Sequence, residues 1–227
     1  MNSLWLFPLL ISVVFHEYAH GWVAYKLGDT TAYRSGRLTL NPIPHIDPIG
    51  TVLLPLILWI SGSPVIFASA KPVPVNFSAL NNPKRDMGLV ALAGPAMNVF
   101  LAIVFAWVCT GLVYLPEGLL PEGIQHYLVG CSAVGYQISL VLAAFNLLPI
   151  LPLDGGRIVS SLLPDSWAYK YARTERYGIW IVLIGLICFR QIIYTYVVWL
   201  MSGFETIVSV FLLPEMAQLL SRAGGFA

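Results

Sequence analysis

The chain alternates between long apolar runs and short polar, proline-rich stretches. Residues 3–25 open with Leu4-Trp-Leu-Phe-Pro-Leu-Leu-Ile-Ser-Val-Val-Phe15, which carries no charge, and Gly28-Asp29 ends the run. This pattern predicts a first apolar helix over 3–25. Residues 29–50 are polar and include Arg34, Arg37 and the stretch Asn41-Pro-Ile-Pro-His-Ile-Asp-Pro-Ile-Gly50. Within them Thr30-Thr-Ala-Tyr and Gly36-Arg-Leu-Thr-Leu40 alternate in the manner of short strands. Residues 51–68 are apolar again but interrupted by Pro55 and Ser61-Gly-Ser-Pro64, which fits a span or a re-entrant hairpin. Residues 69–86 are polar, and the alternation Lys71-Pro-Val-Pro-Val75 predicts an extended segment. A long apolar helix follows over 87–115, with Gly94-Pro-Ala-Met-Asn98 inside it. The loop 116–126, with Glu117 and Glu122, leads to a helix over 127–150. Residues 157–176 are mixed and lean basic, two further apolar helices fall at 177–189 and 191–213, broken near Arg190, and the tail 214–227 is polar.

Composition turns these runs into membrane segments. Hydrophobic residues make up 58% of the 227 and charged residues 10%, against roughly 45–50% and 25% in ordinary globular chains. Mean hydropathy is +0.77. A bilayer crossing takes about 20 apolar residues, and the runs supply about five to six such helices. The expected fold is therefore an all-α polytopic membrane protein, a single domain over residues 1–227 built around helices 3–25, 87–115 and 127–150. A re-entrant or hairpin segment and short membrane-associated β-strands complete it. The bilayer is then an obligatory partner. The net charge of +1 gives no reason to expect nucleic acid. Cys109, Cys131 and Cys188 all sit in apolar runs without a C-x-x-C pair and read as small hydrophobes. The first run has no basic n-region and reads as a retained span, not a signal peptide.

Candidate chemistry concentrates in that first run. Phe15-His16-Glu17-Tyr18-Ala19-His20 is a His-Glu-x-x-His motif, and it holds two of the four histidines in the chain. Residues four apart on a helix share a face, so His16 and His20 can bind one zinc ion with Glu17 beside it as general base. Ionisable groups at membrane depth are functional candidates by default; the alternative is a buried polar cluster pairing with a neighbouring helix. A catalytic zinc usually takes three protein ligands and one water. His45 and His126 stand alone and read as structural or solvated. Asp154, followed by Gly155-Gly156, suits a third ligand, since glycines permit a close approach. It equally suits the cap of a helix beginning near Arg157, and spacing leaves both readings open.

Taken together, His16-Glu-Tyr-Ala-His20, Gly94-Pro-Ala-Met-Asn98 and Asn146-Leu-Leu-Pro-Ile-Leu-Pro-Leu-Asp154-Gly-Gly resemble the site-2 protease family of intramembrane zinc metalloproteases, over nearly the whole chain. The resemblance is to a compact form without a PDZ-like insert or a nucleotide-sensing domain. It implies one zinc ion per chain held by His16, His20 and Asp154, with Glu17 as catalytic base. It also implies that Asn146 lies near the active site, where it helps hold substrate or the developing oxyanion. The substrate implied is a membrane protein or membrane peptide, cut in or near its transmembrane segment. Segments 29–50 and 69–80 are candidates to clamp it by β-addition.

One consequence is topological. Three ligands can meet only if helices 3–25 and 127–150 run in the same direction and 87–115 runs against them. Residues 26–86 must then begin and end on one side. Lys26, Arg34, Arg37, Lys71, Lys84, Arg85, Arg157, Lys170, Arg173 and Arg176 gather there, while 116–126 has no Lys or Arg. By the positive-inside rule that side is cytoplasmic, which makes the expected location the cell membrane of a prokaryote with the site opening inward. Competing readings are a zinc transporter, which needs no Glu beside its first histidine, and an inactive metal-binding or scaffold protein, which would be expected to have lost Glu17 or a ligand.

Overall fold

A computed structural model describes residues 3–45, 71–116 and 118–212. The apolar stretch 51–68 and the tail 214–227 lie outside the described residues, and so do the expectations attached to them. Helices α1 (Leu6–Lys26), α3 (Pro83–Val113) and α4 (Glu122–Asn146) form the core. A single-turn helix, α2 (Thr31–Arg34), follows α1. Beyond the core come α5 (Asp154–Leu162), α6 (Asp165–Ala172), α7 (Gly178–Cys188) and α8 (Arg190–Ser209).

Local chemistry explains where these helices begin and end. Gly28 takes φ +108° just beyond α1, the left-handed cap that favours glycine. Helix α3 starts at Pro83, four residues before the hydrophobic pattern does. Proline suits the first helical position, and Asp86 accepts the Asn82 N–H at 2.8 Å. Helix α4 ends at Asn146, earlier than the apolar run suggests, because Pro149 and Pro152 cannot continue it. The break near Arg190 is present, between Cys188 and Arg190. The basic stretch after residue 154 resolves into the two short helices α5 and α6. Lys84 at the start of α3 reaches Asp165 at the start of α6, at 2.6 Å.

The expected strands are not found among the described residues. Thr31–Arg34 is a helical turn, because the buried Asp29 carboxylate accepts the Thr31 N–H at 2.9 Å and seeds it. That local bond overrides the β preference of Thr-Thr-Ala-Tyr. Gly36–Leu40 is irregular: Gly36 has φ +66°, and the Arg37 N–H folds back onto Ala32 O at 2.9 Å. Residues 71–76 form neither helix nor strand, and Asn76 at their end has extended dihedrals. Asp29 also accepts the Asn76 N–H at 2.7 Å, so this segment is tied to the end of α1. Asn76 in turn caps the 3-10 turn Phe77–Ala79.

Contacts along the helices fix their directions. Leu4 lies against Gly130 and Ser12 Oγ is 2.9 Å from Ser139 Oγ, so α1 and α4 run parallel. His20 meets Val90 and His16 meets Asn98, so α3 runs against α1. Gln125 Nε2 donates to Leu112 O at 2.7 Å and Phe105 abuts Gly135, so α3 and α4 are antiparallel. The Asn81 N–H donates to Leu27 O at 2.8 Å, which brings residues 27 and 81 to the same end. The parallel pairing deduced from the three ligands is what the helices adopt.

The α3–α4 seam is built of small residues: Ala102, Ala106 and Cys109 face Ala133 and Leu140, all buried. In lipid the hydrophobic effect offers little between helices, and close van der Waals packing through small side chains takes its place. The Ser12–Ser139 bond adds about 0.6 kcal/mol, by the average for interhelical bonds in bilayers. Outward faces are apolar, with Phe100, Trp107, Trp180, Ile184, Ile187 and Trp199 exposed. Among the described residues three helices are long and apolar enough to cross a membrane: α3, α4 and α8. The expected five to six is not confirmed among the described residues, which leave out the apolar stretch 51–68. Helix α7 has 11 residues, about half a crossing, and α1 carries His16, Glu17 and His20 within its 21 residues.

Candidate active site

The helix spacing of α1 puts His16 and His20 one turn apart, buried, with their Nε2 atoms 3.0 Å apart. Asp154 comes from the first turn of α5. Its Oδ2 lies 3.2 Å from His16 Nε2 and its Oδ1 3.3 Å from His20 Nε2. The contact at Oδ2 is close but not aligned as a hydrogen bond, so that buried oxygen has no true partner. Asp154 is the first residue of α5, one place past the N-cap position held by Leu153, and its carboxylate faces the histidines. Ligands about 2.0–2.1 Å from a tetrahedral zinc stand roughly 3.3–3.4 Å from one another. A carboxylate and two imidazoles converging at 3.0–3.3 Å fit that donor set.

Backbone proximity makes the convergence possible. A Cβ on Gly155 would lie 2.3 Å from Leu147 O, and one on Gly156 2.5 Å from the Ile150–Leu151 peptide nitrogen. Both glycines sit within α5, so their role is the missing side chain and not a special turn. It lets α5 press against residues 147–151 and deliver Asp154. On α3, a Cβ at Gly94 would fall 2.4 Å from His20 Nε2 and 2.5 Å from His16 Cε1. Gly94 is therefore the gap in which both imidazoles rest. One turn on, the Asn98 side-chain amide reaches His16 Nδ1 at 3.1 Å. One turn before, Val90 O accepts from His20 Nδ1 at 2.7 Å. Gly94 and Asn98 thus act as a pair at helical spacing.

Glu17 Oε2 accepts the Val73 N–H at 2.7 Å. Val73 is flanked by Pro72 and Pro74, neither of which has an N–H, and its side chain lodges over Gly21, where an added Cβ would come within 2.9 Å of it. The segment 71–75 is thereby seated on α1 beside the motif. Around these groups lies a cavity of about 460 Å³ whose further lining includes Val75, Phe77, Asn146, Pro152, Leu153 and Arg157. The Arg157 guanidinium stands 4.8 Å from the Phe77 ring and is held by Glu175 at 2.7 Å, bridging segment 71–79 and α5.

Of the sequence candidates, His16, Glu17, His20, Asn146 and Asp154 all border this one cavity. One N–H of the Asn146 amide is spent on Leu142 O at 2.9 Å, and the other has no partner among the described residues. His45 is buried and donates from Nε2 to Thr39 O at 2.9 Å, and His126 is exposed; neither lines the cavity. In the sequence Asn98 belongs to one of the three stretches that carry the family resemblance but has no assigned role, and neither have Val73, Gly21 and Arg157. The one available signal was Gly94-x-x-x-Asn98, a spacing that puts both on one helix face.

Two imidazoles and a carboxylate around one point, with a glutamate beside them in a wall of apolar helices, have the make-up of a membrane metallohydrolase centre. The chain belongs to peptidase family M50, the site-2 protease family, which residues 4–133 and 121–189 match. It is 38% identical over 208 residues to the Bacillus subtilis (strain 168) protein named "Putative zinc metalloprotease YwhC", covering 89% of this chain and 88% of that one. It is 31% identical over 155 residues to "Putative zinc metalloprotease MJ0611" of Methanocaldococcus jannaschii, covering 68% of each. With "Putative zinc metalloprotease Rip2" of Mycolicibacterium smegmatis it shares 28% identity over 179 residues, 78% of this chain and 64% of that relative. No solved structure matches the chain.

Proposed function

We propose that this protein is an intramembrane zinc metalloprotease that hydrolyses peptide bonds in or near the transmembrane segments of membrane-protein substrates. The observation that carries the reading is the convergence of His16, His20 and Asp154 at 3.0–3.3 Å on the cavity that Glu17 also lines. Those three residues would hold one zinc ion. Bound there, zinc supplies Lewis-acid polarisation of the scissile carbonyl and acidifies water at neutral pH. Glu17 takes the proton from the attacking water and delivers it to the leaving amine. Its bond to the Val73 N–H fixes one carboxylate oxygen and leaves the other for that exchange. The remaining N–H of Asn146 is a donor for the developing oxyanion.

The walls favour an extended, apolar substrate, since Pro72, Val73, Val75, Phe77, Pro152 and Leu153 line the cavity. A substrate helix must unwind to enter, because its carbonyls are otherwise spent within the helix. Clamping by β-addition to residues 71–76 has few donors to offer. Pro72 and Pro74 have no N–H, and those of Lys71, Val73 and Asn76 go to His45 O, Glu17 and Asp29. Side-chain contact with the apolar wall is the better means of holding substrate there.

Zinc per chain, measured in detergent-purified wild type beside Asp154→Ala and Glu17→Gln, tests the reading. Wild type and Glu17→Gln should carry about one zinc, and Asp154→Ala much less. Glu17→Gln should lose cleavage by about 10²–10⁴-fold, the range for a general base. Equal zinc in wild type and Asp154→Ala would remove Asp154 from the site. Full cleavage by Glu17→Gln would remove the base.

A further inference from the structure

His16 and His20 are held differently on the side away from their convergence. His20 Nδ1 faces Val90 O at 2.7 Å, and a carbonyl only accepts. Nδ1 of His20 therefore carries the hydrogen, and its Nε2 presents a lone pair. His16 Nδ1 faces the Asn98 carboxamide nitrogen at 3.1 Å, and an amide can present either a donor or an acceptor. With nitrogen toward Nδ1, the hydrogen of neutral His16 stands on Nε2, in the middle of the ligand cluster, where it is 3.0 Å from His20 Nε2 and 3.2 Å from Asp154 Oδ2. In that arrangement Nε2 has no lone pair for a metal. Meanwhile Asn98 Oδ1 is buried without a partner among the described residues, in a residue with no exposed surface.

We propose that Asn98 is a positioning residue for the metal centre: with metal bound its amide turns its oxygen onto His16 Nδ1, which holds the hydrogen there and leaves Nε2 bare. This rests on the zinc reading above. The turn exchanges two groups of nearly the same shape, gives the orphaned oxygen a donor, and moves the hydrogen of His16 from Nε2 to Nδ1 with no net proton change. The backbone carbonyl of Val90 does for His20 in fixed form what Asn98 does for His16 by reorienting. Supporting groups of this kind typically change metal affinity 10–100-fold.

Zinc affinity by chelator competition, read beside thermal stability of the metal-free proteins, separates the possibilities. Asn98→Asp offers only acceptors and should bind zinc at least as tightly as wild type, within about threefold. Asn98→Leu keeps the approximate volume without the acceptor and should bind about 10–100-fold more weakly. Imidazole nitrogen shifts in wild type labelled with ¹⁵N-histidine give a reading that needs no variant: the zinc-loaded protein should have His16 Nδ1 protonated. Wild-type affinity in Asn98→Leu, equal losses in both variants, or a bare Nδ1 in the loaded protein would each overturn the proposal. Absence of zinc from wild type would overturn the metal reading itself, and this inference with it.

Discussion

At the scale of single residues, the site depends as much on side chains that are missing as on those present. Gly94 is the sharpest case. Alanine there would gain about 0.8–1.0 kcal/mol of helix propensity, yet its Cβ would fall 2.4 Å from His20 Nε2 and 2.5 Å from His16 Cε1. Overpacking of this kind costs roughly 1–3 kcal/mol, and the imidazoles are the atoms that must move. Gly94→Ala is therefore expected to carry less zinc and to cleave more slowly despite the better helix former. Metal content measured on monodisperse protein checks this; unchanged zinc would mean that the imidazoles have slack. Glu17 and Val73 make the complementary point. The motif predicts the carboxylate, but the N–H that orients it comes from 56 residues away.

At the scale of elements, helix α1 and the segment 71–75 form one unit. Gly21, one turn beyond Glu17, is the notch that receives Val73, and Asp29 and Arg37 tie the rest of the segment down. Gly21→Ala would force Val73 outward from a 2.9 Å contact and so lengthen the Val73–Glu17 bond. The expected result is a several-fold fall in cleavage at full zinc content, with the roughly 0.5–1 kcal/mol that alanine gains in a helix interior offsetting part of the cost of displacing Val73. Paired rate and zinc measurements decide it. A rate equal to wild type would uncouple the segment from the base. Helix α5 behaves similarly: its glycines let it close on residues 147–151, and that closure delivers Asp154.

At the scale of the whole molecule, the parallel α1 and α4 and the opposed α3 place residues 27 and 81 at one end. The loop between α3 and α4 lies at the other. Ten of the twelve Lys and Arg residues belong to the segments assigned to the first end, and on the positive-inside rule we propose that this end is cytoplasmic. Reporter fusions at residues 80 and 120 are expected on opposite sides of the membrane, with 80 inside. Both on one side would contradict the proposed membrane orientation. The exposed apolar surfaces of α7 and α8 agree with a lipid surround, although α7 is too short to cross alone.

The sequence by itself determined the membrane character, the helical core and the His-Glu-x-x-His face, because hydropathy and a four-residue helical spacing are local properties. It also constrained the topology, through the requirement that His16, His20 and Asp154 meet. Its strands failed at Thr30-Thr-Ala-Tyr, where the two bonds from the Thr31 N–H and hydroxyl to Asp29 outweigh a modest propensity. Only the tertiary structure decided that the Asp154 carboxylate faces the histidines, because sequence spacing cannot tell a carboxylate's two uses apart. Only it gave Gly94, Asn98 and Val73 their places. Their contacts join parts of the chain tens of residues apart, and distance through space is not written in distance along the chain.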